Sequence, residues 1–242
     1  MPASVIGKSF SNGFLGGYAE QGDHLVKTYC NTGDAELDFG DPVFATLTGI
    51  AAPGSTGLVP TATNFVGAAI QHVQSATIYP YQNLGSYLQN DPTPVMIRGG
   101  VSVLCNNAAV SAPSVDGGVY VRIANGSTAK PVGGFEAAAD ATTYTATVTT
   151  QTSASTALVV SSVANLVVGM TVSGTGIPAG AIIAAINAGT LTVTLSAAAT
   201  TSASSGTVTF GGNTIQITNA TWGSSADSDG VALLIVKSRN NA

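Results

Sequence analysis

Between Ala141 and Ala226 the chain has no Asp, Glu, Lys, Arg, His or Cys. That stretch takes up 86 of the 242 residues and is built largely of Thr, Ser, Ala, Val and Gly. It lacks the side chains that usually transfer protons, ligate metals or clamp phosphate. Hydroxyls, amides and backbone groups remain, which suit packing and weak surface contact and point away from an enzyme. Charge is scarce throughout. Only 8% of residues carry it, against about 25% in ordinary soluble domains. A free monomer uses surface charge to stay in solution. So neutral a chain is either packed against neighbours or is a Thr- and Ser-coated β protein that needs few charges. Basic residues number 7 and acidic ones 12, and the basic ones form no patch. Nucleic acid, which needs clustered Lys and Arg, is not an expected partner. Nor is an anionic membrane surface.

Long hydrophobic runs are missing too. The longest apolar stretch, around 157–168, is broken by Ser161, Ser162 and Asn165, so no membrane span is expected. The opening Met1-Pro2-Ala3-Ser4-Val5-Ile6-Gly7-Lys8 has no charged start followed by an apolar run, and no export signal is expected. The two cysteines, Cys30 and Cys105, have no metal-ligand spacing. Both are expected to be free and buried, acting as small hydrophobes, with a disulfide between them as the alternative. His24 and His72 lack partners at metal spacing and lie near no nucleophile motif, so both read as surface or rim residues. No Gly-x-Ser-x-Gly elbow and no phosphate-cradling Gly-x4-Gly-Lys-Ser/Thr sequence occurs.

What is present reads as β-strand. The hydrophobic fraction is 45%, enough for a substantial core at this length. Val101, Val103 and Cys105 alternate with Ser102 and Leu104. Val119, Val121 and Ile123 share one face, with Tyr120 and Arg122 on the other. Tyr144, Ala146 and Val148 alternate with threonines, as do Leu191, Val193 and Leu195, and Ile215 and Ile217 sit between Thr and Gln. The continuous run Val-Ala-Leu-Leu-Ile-Val at 231–236 predicts a strand buried on both faces. Turn pairs such as Asp41-Pro42, Asp91-Pro92, Asn125-Gly126 and Asp229-Gly230 punctuate these segments. The best helical candidate, Phe135 to Asp140, is too short to change the class. The fold is predicted to be all-β, a sandwich or barrel of jelly-roll type with a small inserted β domain.

The abrupt loss of charge after Asp140 sets the proposed boundaries. Residues 26–140 with 213–242 form a host β domain, and 141–212 form the insertion, entering and leaving where interruption is cheap. Two tandem domains are the alternative. Residues 1–25 read as an N-terminal arm, because Phe10, Phe14, Leu15 and Tyr18 lie among Gly7, Gly13, Gly16 and Gly17. Such a segment suits a strap laid on another surface; an ordinary first strand of the core is the other reading.

Few groups are candidates for chemistry. Asp34, Glu36, Asp38 and Asp41 could share a face and hold Ca²⁺, but no glycine-centred calcium loop accompanies them, so a solvated face is expected. Asp227-Ser228-Asp229-Gly230 opens like a calcium loop but lacks its closing Glu, so it reads as a turn. Asn125-Gly126-Ser127 and Asn219-Ala220-Thr221 match the glycan acceptor pattern, which carries no meaning without secretion. No catalytic, metal or cofactor residues are assigned, and no cofactor is expected.

Two segments carry a resemblance. Phe39-Gly40-Asp41-Pro42-Val43-Phe44, Phe65-Val66-Gly67-Ala68-Ala69, Met96-Ile97-Arg98-Gly99-Gly100-Val101, Asp116-Gly117-Gly118-Val119-Tyr120-Val121 and Ala220-Thr221-Trp222 follow one another in order. The host domain in this respect resembles the cement or decoration proteins of tailed bacteriophage capsids. Residues 168–180, Val-Gly-Met-Thr-Val-Ser-Gly-Thr-Gly-Ile-Pro-Ala-Gly, are similar to the threonine-rich β modules that phages and bacterial surface proteins carry as outward-facing additions. The resemblance implies a structural virion protein on the capsid exterior, made in the host cytoplasm. Its implied partners are the major capsid protein and further copies of itself, as a homodimer or, alternatively, a homotrimer. Phe10, Phe14, Leu15 and Tyr18 are the candidate capsid contacts. The competing reading is an adhesion or carbohydrate-binding module in which Tyr79, Tyr81, Tyr87 and Trp222 stack on sugars.

Overall fold

The computed structural model describes residues 12–18, 24–71, 86–106 and 108–237. Every regular element among them is a strand. The first nine are β1 (Leu25–Cys30), β2 (Leu37–Asp38), β3 (Pro42–Ala45), β4 (Ile50–Ala51), β5 (Phe65–Ala69), β6 (Ser86–Tyr87), β7 (Pro92–Leu104), β8 (Gly118–Arg122) and β9 (Phe135–Glu136). Six follow in the charge-free stretch: β10 (Thr143–Gln151), β11 (Ala157–Val160), β12 (Thr171–Ser173), β13 (Ile183–Asn187), β14 (Thr192–Leu195) and β15 (Thr207–Gly211). The last two are β16 (Thr214–Trp222) and β17 (Val231–Val236). Among the described residues no helix is long and apolar enough to cross a membrane.

The larger sheet runs β4-β3-β5-β7-β17-β16-β8-β9, with β1 also on β7. The 13-residue β7 is its spine. Its first half pairs with β1 and β5, and its second half with β17. The sheet then curls back on itself. Cys105 bridges Phe135 in parallel, and the Asn106 N–H donates to the Phe135 carbonyl at 2.7 Å, so β9 meets the end of β7. Inside lies a chain of edge-on aromatic rings: Phe44 to Phe65 at 5.7 Å, Phe65 to Phe135 at 6.3 Å, and Phe135 to Trp222 at 6.3 Å between centroids. Val101, Val103, Val119 and Val121 close around them. The alternation read from the sequence places these valines inward, because successive strand residues point to opposite faces.

The smaller sheet runs β12-β15-β10-β11-β14-β13. Its two outer strands meet. Thr171 bridges Ile182, the Val172 N–H donates to Ala181 O at 2.8 Å, and the Ile183 N–H donates to Met170 O at 2.9 Å. The result is a closed barrel around Ala146, Val148, Leu158, Met170, Val193 and Phe210, with threonines alternating outward. Ile123 and Ala124, just past β8, belong to the same cluster and seat the barrel on the larger sheet. After β15 the chain returns: β16 pairs with β8, and β17 enters between β16 and β7.

Four local expectations need correction. Cys30 is exposed, not buried, because β1 is paired on one side only and sits at an edge; Cys105 is buried, and both thiols are free. Leu191 is 38% exposed with φ +50°, so it belongs to the turn before β14 and the inward alternation starts at Val193. The run at 231–236 is fully buried on one face, through Ala232, Leu234 and Val236, while Leu233 and Ile235 are only half covered on the other. The short helical candidate contributes β9 instead.

Candidate functional site

The arm residues that the structure describes, 12–18, form a strap across β7. Gly16 and Gly17 extend the edge of that strand: the Gly16 N–H donates to Ser102 O at 2.8 Å and the Ser102 N–H to Gly17 O at 3.0 Å. On its other side Gly16 accepts from the Gln71 N–H at 2.9 Å. Gly16 has φ +71°, and a Cβ there would lie 2.7 Å from the Gln71 nitrogen, so no other residue fits. The strap is fastened again at Asn12. Its N–H donates to Asp227 Oδ2 at 2.9 Å, and its side-chain amide donates to Val231 O at 2.8 Å and Ser225 O at 3.0 Å. The Ser102 hydroxyl donates to the Asn12 carbonyl and is sealed beneath the strap.

Between these fastenings the Gly17 N–H closes a turn on Phe14 O at 2.8 Å. Phe14 is 84% exposed at that turn, and Tyr18 is 54% exposed. Leu15 is half-buried, and Phe10 lies outside the described residues. Tyr18 stacks on His24 at 5.2 Å between centroids. Three of the four candidate contacts therefore sit together on one fastened segment. Asn12, Ser102 and Asp227 do the fastening, a role the sequence did not mark, although Asp227 was read as opening a turn. The Asn12–Gly13 pair was the available turn signal, but nothing local to Ser102 betrays its partner.

Asp227 shapes the adjoining hairpin. Its Oδ1 accepts from the Asp229 N–H at 3.0 Å and the Val231 N–H at 2.9 Å, which makes 227–230 a turn. Beside it opens a cleft of about 610 Å³ whose lining includes Leu104, Ala108, Ala112, Pro131 and Asp229. Leu104, Val110 and Val115 are further exposed apolar residues.

The acidic residues 34–41 are used separately. Asp34 Oδ1 accepts from the Thr56 N–H at 2.8 Å, and the hydrogen bonds to Thr56 hold its carboxyl below the ordinary value. Glu36 accepts from the Ser86 hydroxyl at 3.3 Å. Asp41 accepts from the Asp38 N–H at 3.1 Å, and burial pushes its pKa up to about 7. Among the described residues no group of three or more His, Cys, Asp or Glu is placed to hold a metal ion. His72, Tyr79 and Tyr81 lie outside the described residues. Tyr87 and Trp222 cannot stack on a sugar as they stand. Both are buried, Trp222 completely, and the Tyr87 hydroxyl donates inward to Ile70 O at 2.7 Å.

A polar clasp joins the two sheets, and nothing in the residue pattern marked it. Arg122, 2% exposed, donates from Nε to Glu136 Oε1 at 2.5 Å and from Nη2 to Asp140 Oδ2 at 2.9 Å. Asn213 donates to the same Asp140 oxygen at 3.2 Å and accepts from the Asn125 amide at 2.9 Å. Asn125 also donates to Asn165 O, in the barrel, at 2.9 Å. Burial opposes ionisation of Asp140. The hydrogen bonds from Thr142, Arg122 and Asn213 outweigh it and hold the carboxyl well below the ordinary range.

A family model described as structural cement protein (E217 gp24/Pam3 gp6) matches residues 1–165, from the arm to the segment between β11 and β12. No curated protein matches the chain. The matched family is a structural one and not a family of enzymes. The chain, with its strap segment, β1–β9 and the core rings Phe44, Phe65 and Phe135 inside the matched span, belongs to the phage structural cement protein family and is a capsid-stabilising protein of the virion.

Proposed function

We propose that the protein decorates the outside of its capsid and bridges neighbouring major capsid subunits, with the strap as its contact. Phe14 and Tyr18 would insert into the partner, with Leu15 beside them and Phe10, outside the described residues, as the fourth candidate contact. The observation that carries this reading is a phenylalanine left 84% exposed on a segment fastened at both ends. Burying a phenylalanine is worth roughly 1.5–3 kcal/mol. A fastened turn has already lost the freedom that a loose arm would lose on docking. A closed oligomer presents several such contacts at once, so each need only be weak. We take the working form as a two-fold dimer, with a trimer as the alternative. Residues 141–212 are taken as an inserted unit facing away from the shell.

The test is decoration of particles stripped of the protein by variants Phe14→Ala and Tyr18→Ala. Both side chains are exposed, so the variants should melt as wild type does. Lower occupancy and particles that burst at lower temperature are expected. Undiminished decoration by the double variant would remove the strap from the interface.

A further inference from the structure

The chain contains two Asn–Gly pairs, Asn12–Gly13 and Asn125–Gly126. Each asparagine fastens a seam. The Asn12 amide holds the strap to the 225–231 hairpin. The Asn125 amide spends both its hydrogens across the junction of the two sheets, on Asn165 O and Asn213 Oδ1, each at 2.9 Å. We propose that Asn125 is a site of spontaneous deamidation, and that this reaction unfastens the junction as the protein ages.

The chemistry needs only water and base. The Gly126 backbone nitrogen gives up its proton and attacks the Asn125 Cγ, forming a new N–C bond. The bond from Cγ to Nδ2 breaks, and that nitrogen leaves as ammonia. Water then opens the cyclic imide at either carbonyl, giving aspartate or isoaspartate. Glycine is the following residue that hinders this attack least, because it has no side chain.

The fold itself demands the reactive pair. Residue 125 has φ +49°, a left-handed conformation that asparagine tolerates better than most residues. At 126 a Cβ would lie 2.8 Å from the Val132 nitrogen and 3.3 Å from Lys130 O, so glycine is required. The same geometry slows the reaction, since an amide held by two hydrogen bonds cannot turn towards its attacker. Conversion therefore runs through local opening of the seam.

The product loses both of these bonds. A carboxylate at 125 has no hydrogen to donate and faces two acceptors. Turning the Asn213 amide would offer it an N–H, but would aim the Asn213 oxygen at Asp140 Oδ2, to which Asn213 now donates at 3.2 Å. Arg122 Nη1 lies 3.4 Å from Asn125 O, yet that guanidinium already serves Glu136 and Asp140. A third carboxylate would join two around one buried cation.

The experiment is peptide mapping by mass spectrometry, with isoaspartate detection, of the full chain aged at mildly alkaline pH, both folded and in denaturant. Both pairs should convert in the unfolded chain, and Asn125 should convert roughly tenfold or more slowly in the folded one, as gating by opening requires. The Asn125→Asp variant should unfold at lower denaturant than wild type, and so should the converted fraction of aged wild type. Equal rates folded and unfolded, no conversion in either, or an Asn125→Asp variant and aged protein as stable as fresh wild type would each overturn the proposal.

Discussion

Asp41 shows how far one residue's surroundings can move its chemistry. It follows Gly40 where the chain turns into β3, and its carbonyl accepts from the Ala69 N–H at 2.9 Å. Burial raises its carboxyl from 3.8 to about 7; the Asp38 N–H opposes this and the Asp38 carboxylate adds to it. The folded state thus holds a proton that the unfolded chain has released between about pH 4 and about pH 7. A group raised in this way favours folding at low pH and costs stability as pH rises through that window. Asp41→Asn keeps an acceptor for the Asp38 N–H and never ionises. Its stability relative to wild type should grow between about pH 5 and pH 8, by on the order of 1–2 kcal/mol once water reaching the half-buried group is allowed for. Denaturant midpoints for both proteins across that range check it. A constant difference would mean that Asp41 ionises as freely folded as unfolded.

At the scale of elements, the Arg122 clasp joins β8 to β9 and to both ends of the barrel segment. Replacing Arg122 by Met fills similar space but leaves the half-buried Asp140 without its cation and the buried Glu136 with only Lys130, 3.8 Å away. Removing one partner of such a pair costs about 3–5 kcal/mol. Asp140 lies below its ordinary range, so its contribution is present near neutral pH and is lost as pH falls through the carboxylate range. Arg122→Met should be much weaker than wild type at neutral pH, and the gap should narrow in acid. Chemical denaturation at both pH values reads this directly, and a variant within about 1 kcal/mol of wild type at neutral pH would show the clasp to be dispensable. The clasp also marks where the sequence stopped being readable. The alternation of β8 correctly put Val119 and Val121 inside and Arg122 on the opposite face. A period of two says which face a residue is on, but not whether another part of the chain covers it. Arg122 is covered by residues 14 and 18 positions further on. The β10 threonines were read correctly because nothing covers them. The strap was visible as glycines among large apolar residues, while its landing site, 90 residues away at Ser102, left no local trace. Trp222 could be read from sequence either as core or as a sugar platform; the structure puts it in the core, where β9 and β17 cover it.

For the whole molecule, the consequence of these pairings is that both large sheets, among the described residues, close on themselves at one seam each, while β1 keeps an open edge. The larger sheet curls until β9 meets the end of β7, and the smaller one closes through Thr171 and Ile182. Open edges invite pairing with other chains, and charge is the usual defence; closure does that work in a chain with 8% charged residues. The two ends of the barrel segment lie side by side: the Asp140 N–H donates to Thr214 Oγ1 at 2.9 Å and Asn213 Nδ2 to Asp140 Oδ2 at 3.2 Å. A short Gly/Ser linker can therefore replace residues 141–212 without moving β9 or β16. The shortened protein should fold, because its aromatic core, β16–β17 pairing and strap are all made by retained residues. It should be somewhat less stable, since Ile123 and Ala124 lose the barrel that covers them. It should still decorate stripped particles, because Phe14 and Tyr18 are untouched. Circular dichroism and particle binding of the deletion variant measure both points. Aggregation would show that the larger sheet depends on the barrel for its fold, and a folded variant that no longer binds would place the capsid contact on the barrel.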